Sequence, residues 1–153
     1  MNRSSDRAAR LARLARWVLG LSIAALLAAC AGGGAQVPLL GTYWNVKEVD
    51  GQSFKPLKGG RDAHLRLDAK QKRATGYSGV NSFSGSFETT AASLSFGPIA
   101  STRRAGPPPA MAFETALFKA LGATNSYRIS GDTLELLDAG GGVRARLEAL
   151  PGL

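Results

Sequence analysis

The stretch TGYSGVNSFSGSFET, residues 75–89, decides the fold that we expect for this chain. Its β-forming residues fall into two runs, Thr75–Val80 and Phe83–Thr89, which predict two short neighbouring strands. Asn81 lies between the runs, and glycines at 79 and 85 flank it. Glycine and asparagine adopt positive φ and tight turns more readily than other residues. The stretch therefore predicts two strands joined by a tight turn near Asn81.

Three polar residues in and after this stretch have a second interpretation. Asn81, Ser82 and Arg103 could line a recognition surface instead of serving only the turn. We keep these three residues as the candidate site of the folded domain.

Short strands are also predicted on both sides of the central stretch. The residues from Ala63 to Asp68 alternate with a period of two, which predicts that Ala63, Leu65 and Leu67 point inward. On the same pattern His64, Arg66 and Asp68 point outward. The other predicted strands are Gly41–Val49, Leu94–Phe96, Ile99–Thr102, Tyr127–Ser130, Thr133–Asp138 and Val143–Glu148.

One helix is predicted among these strands, over Ala110–Leu121. Pro109 precedes it and is acceptable in a first helical turn, where its missing N–H would have no partner. An apolar stripe for the core is formed by Phe113, Leu117, Ala120 and Leu121. About eight short strands with one helix predict a mainly β domain, in which an antiparallel sheet curls into a small barrel with the helix packed on it.

The first 29 residues are predicted to be a signal peptide that is not part of the fold. Five arginines precede the apolar stretch Trp17–Ala29, which is the order of charge and hydrophobicity found in secretory signals. As a helix these 13 residues would span only about 20 Å, less than the roughly 30 Å core of a bilayer. A permanent transmembrane helix is therefore the weaker interpretation.

The apolar stretch ends in Leu27-Ala-Ala-Cys30, which resembles the lipobox of bacterial lipoproteins. The resemblance implies that Cys30, the chain's single cysteine, is lipidated and becomes the first mature residue. An ordinary signal peptide with an incidental cysteine is the alternative. Residues 30–38 would then form a flexible tether to the membrane. Because Ala31 follows the cysteine instead of aspartate, resemblance to enterobacterial lipoproteins favours the outer membrane, facing the periplasm.

The formal net charge of +8 does not predict nucleic-acid binding. Five arginines and one aspartate before Cys30 account for half of this charge. In the remaining chain the charges alternate in sign, and no basic run is longer than Arg103-Arg104. The pattern indicates no basic stripe of the kind that binds a phosphate backbone.

No catalytic, metal or cofactor site is predicted. His64 is the only histidine, and strand alternation predicts that it is exposed. We find no nucleophile with a base, no set of metal ligands, and no glycine-rich phosphate loop of known spacing. The sequence therefore predicts a protein that is not an enzyme.

The middle of the chain resembles the META domain family, also called HslJ-like. The resemblance is carried by Tyr43-Trp44, 75–79, Asn81-Ser-Phe-Ser-Gly-Ser-Phe87, 94–96, 99–103 and 127–134. It implies a lipocalin-like antiparallel barrel over 39–150 and a role in the cell envelope, with a link to heat shock or stress.

The chain departs from this family at two positions. Members commonly have cysteine where this chain has Val80 and Gly106. If those cysteines pair in relatives, losing both together avoids a lone thiol in an oxidising compartment. This domain must then hold the loop by packing alone.

The expected function is a membrane-anchored, non-enzymatic envelope lipoprotein, acting as an interaction or stress-protective module for an unidentified envelope protein. The alternative is a binding protein for a small apolar ligand or lipid in a barrel cavity. This alternative is motivated by aromatic residues, although core packing is the stronger use for them because small barrels are usually filled by their own side chains. They are Tyr43, Trp44, Phe83, Phe87 and Phe96.

Overall fold

The computed structural model describes residues 36–150 of the chain. Within this range the chain forms ten antiparallel strands and one helix. The strands are β1 Tyr43–Val49, β2 Gln52–Ser53, β3 His64–Asp68, β4 Arg73–Tyr77, β5 Ser82–Thr89, β6 Leu94–Phe96, β7 Ala100–Ser101, β8 Ser126–Ser130, β9 Thr133–Leu137 and β10 Val143–Ala149. The helix, α1, spans Pro108–Ala123.

Eight of the strands follow one another in a single curled sheet. Their order is β6-β5-β4-β3-β1-β10-β9-β8, with β2 paired to β1 and β7 paired to β5. The two ends of this path approach each other, because Ser93 forms a bridge with Ser126 and the Leu94 N–H donates to the Asn125 carbonyl at 3.2 Å. The sheet is therefore a nearly closed barrel, and the predicted mainly β fold with one packed helix is confirmed.

The barrel interior is filled by the inward side chains of its strands. In β3 and the residue before it, Ala63, Leu65 and Leu67 are all buried, as the alternation predicts. Trp44 and Phe87 are among the largest fully buried side chains. Of the other predicted aromatics, Phe83 is buried, Phe96 is half-buried against the core, and Tyr43 stacks on the His64 ring.

Helix α1 packs at the end of the barrel where β8 begins. Its predicted apolar stripe is confirmed, since Phe113, Leu117, Ala120 and Leu121 are buried. Thr124, which follows the helix, continues into β8 at Ser126. The helix therefore covers this end of the core.

The segment before β1 packs at the opposite end, where β8 ends and β3 ends. There the Val37 N–H donates to the Gly131 carbonyl at 3.4 Å and the Gly41 N–H donates to the Leu67 carbonyl at 2.9 Å. Leu39 is buried, and its carbonyl accepts the indole N–H of Trp44 at 3.0 Å. Both ends of the barrel are thus covered by the chain itself.

The turn of the central stretch differs in detail from the prediction. Strand β4 ends at Tyr77, and residues 78–81 form the connection, with Gly79 at a φ of +98° as expected for a turn glycine. Gly85 instead lies within β5 at ordinary φ. A side chain there would lie 2.7 Å from Ile99 Cδ1 and 2.9 Å from the Pro98 carbonyl, so close packing is what requires this glycine.

The predicted signal peptide and Cys30 lie outside the described residues. Among residues 36–150, α1 included, the structure contains no helix with the length and hydrophobicity that a membrane crossing requires.

Candidate functional site

A buried polar cluster lies beneath the turn between β4 and β5. Asn81, which is 1% exposed, donates from Nδ2 to Glu114 Oε1 at 3.0 Å and to the Arg104 carbonyl at 3.1 Å. Its Oδ1 accepts from the Thr102 hydroxyl at 2.9 Å and from the Arg104 N–H at 2.8 Å. The Ser78 hydroxyl donates to Glu114 Oε2. This network ties the turn, the segment after β7, and α1 together.

The expectation that Asn81 itself lines a recognition surface is therefore wrong. Its amide is used inside the protein because four polar partners surround it. Ser78 is 0% exposed, so its hydroxyl does not reach solvent either. Ser82 and Arg103, by contrast, are exposed on either side of this cluster. Asn81 positions their backbone and does not touch a partner.

Sequence reasoning missed Ser78 and Glu114 as members of this cluster. Glu114 lies three residues before Leu117 and seven before Leu121, on the buried face of α1. A carboxylate at that helical spacing is a signal for a buried hydrogen-bonding partner, since charged groups are seldom buried without one.

A groove of about 520 Å³ opens on the outer face of β3, β4, β5 and β7. Strand alternation produces its lining, because Phe83 points inward and Ser82 and Ser84 therefore point outward. Of the nine residues that line the groove, which include His64, five carry hydroxyl groups. They belong to Thr75, Ser82, Ser84, Ser101 and Thr102.

A group of aromatic rings, which we call the aromatic wall, adjoins the groove at His64, the member of the group that lines it. The His64 ring stacks on Tyr43 with ring centroids 4.3 Å apart, and Tyr77 lies 6.4 Å away on the next strand. The guanidinium of Arg61 sits 4.3 Å from the centre of the Tyr77 ring, a cation–π contact. The wall thus combines ring faces with a positive charge.

His64 is half-buried in this wall, so the prediction of an exposed histidine is wrong. The reason is the stacking, which covers one face of the ring. Burial lowers the pKa of His64, although the Asp62 carbonyl 3.4 Å from Nδ1 acts in the opposite direction. That neighbour is a backbone oxygen and not a carboxylate of the kind that orients a catalytic histidine.

Basic residues follow the groove lining at its two ends. A second cavity of about 320 Å³ shares Ser84 with it and is lined by Lys72 and Arg73. Arg73 Nη2 donates to the Ser84 hydroxyl at 2.8 Å. At the other end Arg103 directly follows Thr102. We call β3–β5 and β7, with their connections, the groove half of the barrel.

Strands β1 and β8–β10 carry a ladder of paired charges on their outer face, and we call them, with the connections that follow β1 and β9, the ladder half. Glu48, Arg146, Glu135 and Arg128 lie opposite one another on four adjacent strands. Arg146 contacts Glu48 at 2.7 Å and Glu135 at 3.2 Å, and Arg128 contacts Glu135. These hydrogen bonds, that from Arg128 first, lower the pKa of Glu135.

The two halves differ in charge in a way that the sequence did not reveal. Every ion pair between residues of the described range 36–150 lies in the ladder half. Residues 61–104 hold seven basic and three acidic residues, whereas 43–50 and 126–150 together hold four basic and six acidic. Charges that alternate along the chain are therefore sorted by the sheet into a cationic and an anionic side.

A smaller apolar cleft of about 300 Å³ lies between the loop after β2 and the start of α1. Phe54 and Phe113 form part of its lining, with ring centroids 4.9 Å apart. Leu57 borders the cleft and is 40% exposed, an unusual exposure for a large apolar side chain in this domain.

The two positions where relatives commonly have cysteine are neighbours in space. A Cβ on Gly106 would lie 2.9 Å from both methyl carbons of Val80. The valine side chain thus occupies the volume that a crosslink between these positions would need.

The described part of the chain brings together no three His, Cys, Asp or Glu side chains that could share a metal ion. His64 and the carboxylates near it therefore assemble no metal centre in residues 36–150.

Comparison with known proteins supports the same architecture. The family model for the META domain matches residues 37–150. An NMR structure of a protein from Burkholderia xenovorans is 22% identical and has a TM-score of 0.58, covering 80% of this chain and 97% of that one. A second NMR structure is 18% identical with a TM-score of 0.56, covering 72% and 90%. No curated protein matches the chain.

Proposed function

The chain belongs to the META domain family, and from this premise we propose that it is a membrane-anchored envelope lipoprotein whose barrel serves as a non-catalytic interaction or stress-protective module. One observation carries the proposal that the barrel binds through its outside. Its interior is filled by side chains and both ends are covered, while the outer face of the groove half holds an open groove beside unpaired cations.

The proposed anchor is supported by the position of the lipobox relative to the fold. Cys30, the last residue of the lipobox, lies six residues before Gln36, the first described residue, whose side chain already contacts the barrel at the Ile129 carbonyl. Six extended residues span at most about 20 Å. A lipid on Cys30 would therefore keep the Leu39 end of the barrel close to the membrane and leave the side groove open to other envelope molecules.

Metabolic labelling with radioactive palmitate tests the anchor. We expect label in the wild-type protein and none in Cys30→Ser. The matched control is Cys30→Ser combined with Ala35→Cys, which restores a thiol five residues outside the lipobox and should also stay unlabelled. Labelling of Cys30→Ser would refute lipidation at this residue.

Site-specific photocrosslinking in intact cells tests the interaction module. A photoreactive residue replaces Ser82 in the groove or Glu148 on the outer face of the ladder half. Crosslinked products are expected from position 82 and not from 148. Equal yields from both positions, or none from position 82, would contradict a partner-binding role for the groove.

The alternative function, binding of a small apolar ligand, has one specific observation in its favour. The cleft beside Leu57 is lined by Phe54 and Phe113 and is open to solvent. A fluorescent fatty acid should then bind the wild type and bind Leu57→Asp much more weakly, with Leu40→Asp at the other end of the barrel as the control. Absence of binding to the wild type would remove this alternative.

A further inference from the structure

We propose that the groove binds an anionic glycan chain, which lies along the outer face of β4 and β5 between the two cationic ends. This inference rests on the proposed interaction function and names its ligand class. The chemistry follows from three features of the groove half, which are its unpaired cations, its hydroxyl lining, and the absence of a free strand edge along its centre.

The cations of the groove half fit a negatively charged ligand. Arg66, Lys72 and Arg73 are exposed on or beside β3 and β4, and Arg103 is exposed beyond Thr102. In register Arg66 lies opposite Thr75, so it stands next to the groove lining. Among residues 36–150 none of these side chains has an ion-pair partner. Unneutralised charge of one sign attracts the opposite charge.

The acidic residues of this half reduce that field but are outnumbered, since residues 61–104 hold seven basic and three acidic residues. Asp68 faces Arg73 in register, and its Oδ1 accepts the N–H groups of Lys70 and Gln71 at 2.8 Å each. Asp62 lies before β3 near Asn45, and Glu88 lies beyond Ser86 toward the end of β5. The groove lining itself contains no carboxylate.

The hydroxyl lining favours a saccharide over a peptide. An extended peptide usually binds a sheet by pairing its main chain with a free strand edge. Strands β4 and β5 are paired on both sides in the groove, with β3 on one flank and β7 on the other, so their main chain is occupied. What remains for a ligand is side-chain hydroxyl groups, which donate and accept hydrogen bonds as sugar hydroxyls do.

The groove and the adjoining cavity together have a length that fits a chain and not a single small anion. From Ser82 in the groove to Ser86 in that cavity, strand β5 extends about 13 Å. The Arg73 guanidinium is fixed at one end by its hydrogen bond to Ser84, and Arg103 stands at the other. A ligand with negative groups spaced along its length meets both ends at once.

Binding is tested with the protein purified in detergent and a fluorescent oligogalacturonate, in which each sugar carries a carboxylate. We expect saturable binding that weakens as salt is raised, because the contacts are exposed. A neutral maltooligosaccharide of equal length should not bind. Arg73→Glu and Arg103→Glu should each weaken binding about tenfold. Lys119→Glu makes the same charge change at an exposed position of α1 and should leave binding unchanged.

Several outcomes would overturn the inference. Equal binding of the neutral glycan, tighter binding of oligoglutamate or of single-stranded DNA, or equal losses in Arg73→Glu and Lys119→Glu would each exclude a glycan-specific groove. If oligogalacturonate does not bind but crosslinks still form from position 82, the ligand class is refuted and the interaction function is not. Absence of palmitate label in the wild type would refute the anchor without affecting this measurement, which is made in detergent.

Discussion

The two halves of the barrel present opposite uses of the same strand geometry. On the ladder half, cross-strand register places each charge beside one of opposite sign, so Glu48, Arg146, Glu135 and Arg128 satisfy one another. On the groove half, register places small hydroxyl residues side by side and leaves the cations at the margins. The charges of the first surface are paired with one another, whereas the cations of the second surface have no ion-pair partner among residues 36–150.

The halves are also held in different ways. The ladder half consists of the meander β8–β10 with β1 paired to β10, and its strands are joined by main-chain pairing and ion pairs. The groove half contains the short strand β7 and is fastened to α1 by the buried amide of Asn81 and the carboxylate of Glu114. The surface that is free to bind therefore depends on a buried polar network beneath it.

The largest effect should come from breaking that network. Asn81→Ala is expected to lower the free energy of unfolding by about 4 kcal/mol, because it leaves Oε1 of the buried Glu114 carboxylate and the Arg104 N–H without their partner. Urea unfolding followed by circular dichroism measures the loss. Ser82→Ala, its exposed neighbour, should change stability by less than about 0.5 kcal/mol. Similar losses in the two variants would show that the network does not hold the groove half.

A crosslink should strengthen the same region. The double variant Val80→Cys with Gly106→Cys is expected to form a disulfide, because these positions are in contact. Closing this loop should raise the free energy of unfolding by about 3 kcal/mol over the reduced form. Thiol titration and urea unfolding with and without reductant check both points. Two free thiols under oxidising conditions would contradict the prediction.

A strand of the groove half needs glycine at position 85 because neighbouring atoms leave no room for a side chain. Gly85→Ala places a methyl group against the Pro98 carbonyl and should lower the free energy of unfolding by about 2 kcal/mol. In α1, a methyl group at position 122 would meet no atom within 4 Å. Gly122→Ala should therefore stabilise the protein by about 0.5 kcal/mol, because alanine favours the helix more than glycine does. Melting temperatures of the two variants should therefore move in opposite directions, and a shared direction would argue against the packing at Gly85.

The charge ladder should contribute little and should respond to acid. Glu135→Gln is expected to cost less than about 1 kcal/mol at neutral pH, as partly exposed ion pairs do. Since Arg128 and Arg146 lower the pKa of Glu135, its contribution is present above the carboxyl's ordinary pKa and disappears as the pH falls through the lowered one. Wild type and variant should become equally stable at that acid limit. A difference that persists there would mean that the ladder acts through packing.

The smallest effect should come from His64 in the aromatic wall. Burial lowers the pKa of His64 in the fold, so the unfolded chain binds the proton first. Stability should fall as the pH drops below about 6.5, the ordinary histidine value, and should level off below the lowered pKa. In His64→Gln this slope should be absent, and an unchanged slope would assign it to another group.

The sequence predicted those parts of the fold that depend on local periodicity. The residues predicted to be buried, by the alternation in Ala63–Asp68 and by the apolar stripe of α1, are buried in the structure. Both patterns are local, because the period of a strand or helix depends only on neighbouring residues. The two-residue strand β2 was not predicted because it has no period to detect. The sequence predicted the candidate surface only in part, since Ser82 and Arg103 are exposed and Asn81 is not.

The sorting of charge was beyond prediction from sequence for a physical reason. It depends on β1 lying between β3 and β10, a pairing that brings Glu48 beside Arg146 across 98 residues. No local pattern encodes such a register, so alternating charges in the sequence gave no sign of two unlike faces. Glu114 was missed for the same reason, because its partners Ser78 and Asn81 are 36 and 33 residues away.

The hydrogen bond between Trp44 and the Leu39 carbonyl makes the indole sensitive to the segment that precedes β1. With a lipid on Cys30, as proposed, a pull on the acyl chains would act first on the hydrogen bonds of Gln36 and Val37 and then on Leu39, the first buried member of the core. Drawing Leu39 out would wet the indole of Trp44. Its fluorescence would therefore report the strain between bilayer and barrel before any strand comes apart.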